Sequence, residues 1–331
     1  MNSGTILVTG SAGFVGRATL SSLERATCCS RLRLLVHKSI PPLSADGRVE
    51  HAVGDLADPT SLRSVCDGID TVLHLASHVS DDPGSCETVN ARGTEALVAS
   101  ASTAGVKRLI YLSTAAVYGY AVHRGANEDE VSVAPATPVS RSRVLAERAV
   151  LAAGGIVLRP LFVYGDGDTR FIPVVLGALT RLPVLVDRGD ARVSVLAVDD
   201  LAAVLVALTE IPPNEWVPGA YHITDGHPIA FRNLAASLGR TLGFDPPRRS
   251  LPYPVARLML RAVGSRAFGS KRWSASAAHR LFLVARDHFY DSSRLWGLVG
   301  LRPGAPFANR IQDYTGWYGQ FLPGAKAGVG S

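Results

Sequence analysis

The apolar run Thr5-Ile6-Leu7-Val8 leads directly into Thr9-Gly10-Ser11-Ala12-Gly13-Phe14-Val15-Gly16, and helical spacing follows over residues 14–23. A strand, a glycine loop and a helix in that order leave a chain few folds. Gly10 permits a tight turn, Gly13 keeps the backbone bare where an anion must approach, and Gly16 lets the helix pack close to the strand. The helix N-terminus then presents N–H groups and partial positive charge to phosphate oxygens. A glycine-rich turn without a ligand is the alternative. The placement between strand and helix favours a dinucleotide.

The alternation continues. Residues 32–36, 71–75 and 108–112 are buried-strand candidates, separated by helical stretches such as 88–104 and 141–152. Strands alternating with helices predict an α/β fold of Rossmann type, a doubly wound parallel sheet with right-handed crossovers. Ligands of such sheets sit at the carboxyl ends of the strands. After Gly165 the regularity weakens, and Pro, Gly, Arg and aromatic residues become more frequent. Residues 1–165 with about 193–225 are expected to form the dinucleotide-binding domain, because 193–208 and 220–224 read as strand and helix returning to it. Residues 166–192 and 226–322 are then a smaller, discontinuous C-terminal substrate lobe, and the Gly/Ala-rich 323–331 a flexible tail.

Of the 331 residues 47% are hydrophobic and 19% charged, which excludes a disordered chain. The net charge of +6 raises the question of nucleic acid. The arginines read as scattered, apart from Arg248-Arg249 and Lys271-Arg272, and no basic stripe with interleaved aromatics is evident. A mildly basic surface that draws an anionic small molecule is expected instead, with no nucleic-acid partner. The four cysteines, Cys28, Cys29, Cys66 and Cys86, lack zinc-type spacing. They read as small buried side chains of a reducing cytoplasm, and no metal is expected. The apolar stretch 201–208 is far shorter than the roughly 20 residues that span a bilayer. With no signal peptide before the first strand, a soluble cytoplasmic protein without a membrane partner is expected.

Six further segments, in order, resemble the extended branch of the short-chain dehydrogenase/reductase superfamily, the NAD-dependent epimerase/dehydratase type. They are Gly54-Asp55-Leu56, Leu75-Ala76-Ser77, Val89-Asn90-Ala91-Arg92-Gly93-Thr94, Ser113-Thr114-Ala115-Ala116-Val117-Tyr118-Gly119, Leu158-Arg159-Pro160-Leu161-Phe162-Val163-Tyr164-Gly165 and residues 291–303. The resemblance covers nearly the whole chain. It implies that Gly10, Ser11, Ala12, Gly13, Phe14, Val15 and Gly16 hold the dinucleotide and that Asp55 and Leu56 border the adenine. It further implies that Leu75, Ala76, Ser77 and Asn90 line the cofactor, that Pro160, Leu161, Phe162 and Val163 border the nicotinamide, and that a homodimer is compatible with the helices at 88–104 and 141–152.

NAD-specific members carry an acid at the end of the second strand, about 20 residues past the glycines. Here Val36-His37-Lys38-Ser39 has none. His37 and Lys38 suit a 2′-phosphate, because charge-assisted hydrogen bonds to it are strong. NADP(H) is therefore expected in preference to NAD(H).

The family's proton donor is a Tyr-x-x-x-Lys pair. The aligned segment places Val139 at the tyrosine and Arg143 at the lysine, and residues 121–163 contain no Tyr or Lys at all. Thr114, beside Ser113, is expected to orient a carbonyl, and Arg143 to bind ribose or an oxyanion. Arg143 is no acid, since a guanidinium does not give up its proton in proteins. The proton then comes from Tyr118, Ser140 or Tyr164, or from a hydroxyl of the substrate itself. A cofactor-sensing binding protein and a sugar-nucleotide epimerase/dehydratase-like enzyme are the alternatives. The retained cofactor segments favour an active ketoreductase.

Most aromatic residues in or near the second lobe (Phe162, Tyr164, Phe171, Trp216, Tyr253, Phe268, Trp273, Phe289) read as core packing. Tyr118, Ser140, Tyr164 and Phe171 are expected on the substrate side, with a broad apolar cleft for a polycyclic ketone. Only four lysines occur. An Arg-rich, Lys-poor composition points to a GC-rich genome, where enzymes of this type often decorate antibiotics, and the resemblance, with Val139 and Arg143 in place of the pair, implies the reduction of an aromatic polyketide ketone.

Overall fold

The structure is a computed structural model that describes residues 4–26, 31–37, 47–267 and 275–322. Lys38, Cys28, Cys29, Phe268, Lys271, Arg272, Trp273 and the expected tail at 323–331 lie outside the described residues. Seven strands, β1 (Thr5–Thr9), β2 (Arg31–Val36), β3 (Val49–Val53), β4 (Thr71–His74), β5 (Arg108–Leu112), β6 (Ile156–Arg159) and β7 (Gly219–His222), form one parallel sheet. Their order is β7-β6-β5-β4-β1-β2-β3, so the winding direction reverses between β1 and β4. Helices α1 (Phe14–Arg25), α2 (Gly93–Thr103), α3 (Pro138–Ala152), α4 (Ile172–Arg181), α5 (Val198–Glu210), α6 (Phe231–Leu242), α7 (Tyr253–Ala267) and α8 (Ala275–Ala285) complete the main framework.

The central strands are apolar on both sides because both faces are covered. In β1, Ile6 and Val8 join a core with Leu20 and Leu23 of α1 and Leu201, Val204 and Leu205 of α5. Leu7, one residue out of phase, joins the opposite core with Leu97 of α2 and Ala146 and Val150 of α3. Cys66 and Cys86 are buried free thiols. A further core gathers Tyr164, Phe171, Leu176, Leu234 and Phe307 around α4 and α6.

The structure adds to the sequence reading, or differs from it, at three places. The edge strand β3, half exposed, shows no apolar run to betray it. Residues 88–104 are not one regular helix, since Glu87–Arg92 is π-helical and α2 begins only at Gly93. Val195–Ala197 pairs with Phe162–Tyr164 in a separate two-stranded sheet rather than joining the large one. Among the described residues no cluster of metal ligands occurs and no helix is long and apolar enough to cross a membrane.

Candidate active site

The strand ends on either side of the reversal open into a cleft of about 910 Å³. Its floor is the glycine loop. Gly10 turns at φ +70°, and a Cβ there would lie 2.6 Å from the backbone N of Ala76. A Cβ on Gly16 would overlap the carbonyl oxygen of Gly10, so only glycine lets α1 come this close. Gly13 is the N-cap of α1 in an extended conformation, no side chain caps the helix, and no acid lies in its first turn. The positive end of α1 therefore faces the cleft without a side-chain competitor. Gly10, Ser11, Ala12, Gly13, Phe14, Val15 and Gly16 all line it, as do His37, Asp55, Leu56, Leu75, Ala76, Ser77 and Arg143.

At the β2 end, His37 Nε2 lies 3.2 Å from Asp55 Oδ2. The other carboxylate oxygen of Asp55 accepts from the Ala57 N–H at 2.8 Å, which fixes its rotamer. Behind the β4 end the wall is a chain of buried hydrogen bonds. His74 bonds Thr9 Oγ1 at 2.6 Å and Thr94 Oγ1 at 2.8 Å. Burial holds its imidazole neutral, down to about 3, with the charge of Arg143 acting in the same direction. Asn90 is not a cleft residue. Its amide accepts from the His78 N–H at 2.7 Å, donates to the His78 carbonyl at 2.8 Å and donates to Ser142 at 3.0 Å. It fastens the wall from behind, joining the loop after β4 to α3.

On the β5 side the cleft is lined by Leu112 and Arg143, and the turn that follows, Thr114 included, is not among the lining residues. Thr114 is half-buried, and its hydroxyl accepts from the Ala116 N–H at 3.2 Å, capping the short turn Ala115–Tyr118. Ser113 points the other way and donates to Glu147 Oε1 at 2.5 Å. Glu147 and Arg159 form a buried ion pair at 2.6 Å. Burial opposes the charge of Arg159, but the bonds it donates to Glu147 hold its pKa above the ordinary value. Arg159 donates in turn to Tyr118 Oη at 2.9 Å, and Tyr118 Oη lies 2.6 Å from His222 Nε2. Since the phenol oxygen accepts from Arg159, its proton goes to His222, whose other nitrogen donates to the Asp291 carbonyl at 3.2 Å. Burial pushes the Tyr118 phenol up to about 12 and His222 down to about 4. Ser113 and Tyr118 are thus parts of a core network, not groups facing a substrate.

The three other expected substrate residues sit elsewhere. Ser140 forms a capping box with Thr137: its N–H donates to Thr137 Oγ1 at 3.1 Å, and the Thr137 N–H donates to Ser140 Oγ at 2.9 Å. Tyr164 is fully buried against Phe307 and Tyr314, and burial, with Asp225 next, pushes its phenol upward. Phe171 stacks on Phe162 with ring centroids 4.3 Å apart, as core packing. Pro160 accepts from the Ala115 N–H at 2.8 Å and Leu161 packs against the cluster that holds Ala115, Val117 and Tyr118, so these two back the active-site turn, whereas Phe162 and Val163 pack into the larger cores.

Val139 and Arg143 lie four residues apart on one face of α3. Val139 is half-buried. Arg143 reaches into the cleft and donates through Nη1 to the Leu112 carbonyl at 2.8 Å, while its buried Nε has no partner among the described residues. Sequence reasoning missed several lining residues: Arg17, His78, Val79, and Gly167, Asp168, Thr169 and Arg170. Asp168 explains how the last group is held. Its carboxylate accepts from the N–H groups of Arg170, Phe171 and Ile172 at 2.8–2.9 Å and from Tyr318 Oη at 3.1 Å. The position of Arg17, one residue past the final glycine, was the signal available for it.

A strand order of this kind, with a glycine loop at the reversal and a serine/threonine turn after β5, is the fold of the extended short-chain dehydrogenases/reductases. The profile of the NAD dependent epimerase/dehydratase family matches residues 6–224, and the chain belongs to that family. It is 29% identical over 266 residues to a 2-alkyl-3-oxoalkanoate reductase of Stenotrophomonas maltophilia, covering 76% of this chain and 79% of that one. It is 28% identical over 260 residues to a 4-hydroxy-2-methyl-3-oxo-4-farnesyl-3,4-dihydroquinoline-1-oxide ketoreductase of Stigmatella aurantiaca, covering 76% and 77%. The crystal structure of the dTDP-glucose 4,6-dehydratase DesIV of Streptomyces venezuelae superposes with a TM-score of 0.73 at 21% identity, covering 95% and 96%.

Proposed function

We propose that this chain is an NADP(H)-preferring ketoreductase that works without the family's Tyr/Lys pair, with the proton supplied by the substrate or by water. The observation that carries this reading is the cleft wall: no Tyr and no Lys lines it among the described residues. The phenol nearest the motif, Tyr118, is committed to His222. The cradle fits a dinucleotide, because residues 10–16 line it, no side chain caps α1 and the buried Nε of Arg143 has no partner among the described residues. When bound, the reduced nicotinamide supplies a hydride to a carbonyl carbon. The α1 terminus would hold the pyrophosphate, Asp55 and Leu56 the adenine end, and Arg143 the nicotinamide ribose or the developing oxyanion. Thr114 would donate to the carbonyl oxygen. The absence of an acid at 36–39, with His37 and Lys38 in its place, supports a 2′-phosphate.

Both relatives named above act on 3-oxo compounds, and carbonyl reduction is the chemistry carried over from them. For the substrate we take a polycyclic aromatic polyketide ketone of antibiotic biosynthesis. Within the family, a reductase lacking both Tyr and Lys resembles the angucyclinone ketoreductase of simocyclinone biosynthesis. A hydroxyl beside the ketone would pass its proton to the alkoxide as hydride arrives. A positioned acid contributes about 10²–10⁴-fold, and that factor is then the substrate's.

The test is a fluorescence titration with NADPH and NADH, followed by a screen of hydroxylated quinonoid ketones for cofactor oxidation. Tighter NADPH binding and turnover that falls by about 10²–10⁴-fold when the neighbouring hydroxyl is methylated are expected. Binding without turnover of any ketone would identify a cofactor sensor. Full activity on the methylated ketone would place the acid on the protein, with His78, which lines the cleft, as the first residue to replace.

A further inference from the structure

From Pro246 to Arg286 the chain has no Asp and no Glu but nine Arg or Lys. The whole chain has 34 basic and 28 acidic residues, so everything outside this stretch is net −3. The entire positive excess belongs to one segment of the second lobe.

That segment contains α7 and α8. Ring contacts between Tyr253 and Phe282 (centroids 6.3 Å apart) join the two helices, and Arg286 lies 4.6 Å over the Tyr253 ring. The pair is anchored beside the active-site turn: His279 Nε2 bonds the Gly119 carbonyl at 2.9 Å, and Tyr120 meets His279 and Phe282 at 5.0 Å.

Helix α7 is apolar on two sides. Tyr253, Ala256 and Leu260 are half-buried. Val255, Leu258, Met259 and Ala262, spaced i, i+3, i+4 and i+7, form a second stripe that faces solvent, with Val255 43%, Leu258 66% and Met259 38% exposed. At about 100° per residue, Arg257 and Arg261 fall between the two sides, along one flank of the stripe. Both are exposed, as are Arg248, Arg249 and Arg280. An aliphatic stripe flanked by arginines is the pattern of a helix lying in a bilayer interface, with its apolar side immersed and its cations at headgroup level. Single-stranded nucleic acid would ask for stacking aromatics on the exposed stripe, and it has none.

We propose that α7 is a docking surface for an anionic lipid bilayer, with Leu258 and Met259 entering the interface and the arginines meeting phosphate headgroups. The helix lies on the membrane rather than crossing it. The docking stands apart from the ketoreductase reading and needs no particular substrate.

The experiment is co-sedimentation of the full chain with vesicles of phosphatidylcholine alone or mixed with phosphatidylglycerol. The wild type is expected to sediment with the anionic vesicles and not with the neutral ones. Leu258→Ser with Met259→Ser leaves every charge in place and removes exposed side chains only. It is expected to lose at least about tenfold in vesicle affinity while binding NADPH as before. Arg257→Gln is expected to lose about fivefold. The proposal would be overturned by no sedimentation with anionic vesicles at low salt, by unchanged binding of the double serine variant, or by binding to soluble polyglutamate as strong as to vesicles. The last would point to an acidic protein partner. A wild-type dimer that the serine variant dissociates, with vesicle binding intact, would assign the stripe to a second copy and overturn it equally.

Discussion

Along the glycine loop the residues of the sequence pattern face the cleft, and along the turn after β5 most of them face away. Residues 10–16 all line the cavity. Across from them Ser113 is bonded to Glu147, Tyr118 to His222 and Ser140 to Thr137. The difference follows from what each wall offers a ligand. The first offers backbone, so the pattern needs only small residues, and small residues have no alternative use for a side chain. The second offers side chains, and each polar group has a choice between ligand and core. The Glu147–Arg159 pair decides that choice. Buried charges are costly unless every donor and acceptor is satisfied, and Ser113 and Tyr118 are among the groups that satisfy this pair.

The most severe way to break the contrast is Gly13→Val. The backbone there is ordinary, φ −76°, and an added Cβ would lie 3.1 Å from the Gly10 carbonyl oxygen, so the chain accommodates it with a small shift. The side chain would nevertheless stand where a pyrophosphate must approach. Loss of all detectable NADPH binding by fluorescence titration is expected, with a melting temperature close to that of the wild type. Normal affinity would show that the first wall is no phosphate site.

The second wall is broken through Glu147. Glu147→Ala strands Arg159 as an unpaired buried charge and takes the acceptor from Ser113, at an expected cost of about 3–5 kcal/mol in urea unfolding. Replacing both partners by leucine should recover most of that loss. A cost below about 1 kcal/mol for Glu147→Ala would mean that the network does not hold the wall.

Acid sharpens the comparison, because each wall contains one histidine kept neutral by burial. The folded values are about 3 for His74 and about 4 for His222, against 6.5 ordinarily. The unfolded chain therefore takes up protons first as pH falls. Stability from these groups is full above about 6.5 and declines toward 4 and then 3, with a loss of about 2 kcal/mol from each by pH 5. Urea unfolding of His222→Gln at pH 7 and pH 5 should show a correspondingly smaller difference than the wild type. An unchanged difference would remove His222 from the network as drawn.

How far the sequence was legible follows the same division. β1, β2, β4 and β5 announce themselves as apolar runs because both of their faces are covered, whereas β3 at the sheet edge does not. The glycine loop could be read to the residue. Asn90 could be placed near the cleft but not turned, since nothing in a linear pattern tells whether an amide points at a ligand or at Ser142. The loop 167–170 was invisible as cleft lining, because it arrives there only through Asp168 capping α4. The basic segment was missed for another reason. Its arginines look scattered one by one, and what marks it is the absence of any acid over the same stretch.

An effect of similar size is expected at the β2 end. Lys38→Ala should weaken NADPH by about 1.5–3 kcal/mol, the range for a hydrogen bond to a charged group, and leave NADH nearly unchanged. Equal losses for both in the titration would discard the 2′-phosphate assignment and leave His37 as a partner of Asp55 alone.

The smallest expected effect is the most informative about the second wall. On the reading proposed above, Val139 and Arg143, four residues apart on one face of α3, stand where the family's tyrosine and lysine would, and Val139→Tyr with Arg143→Lys would then restore the usual pair in sequence. Restoring a pair is not restoring a function if the proton already has another route. With the substrate supplying it, kcat should not rise. It should fall modestly, because a phenol at 139 takes space beside the cleft and because lysine replaces a planar, permanently charged group with a single ammonium. Thr114→Ala gives the scale for comparison: one neutral hydrogen bond to the carbonyl contributes about 1 kcal/mol, a loss of several-fold to about tenfold in kcat. A double variant that instead gained about 10²-fold, and that reduced a ketone with its neighbouring hydroxyl methylated, would show that the wall had been a weakened copy of the ordinary one. It would then differ from the glycine loop only by two substitutions, and not in the principle on which it is built.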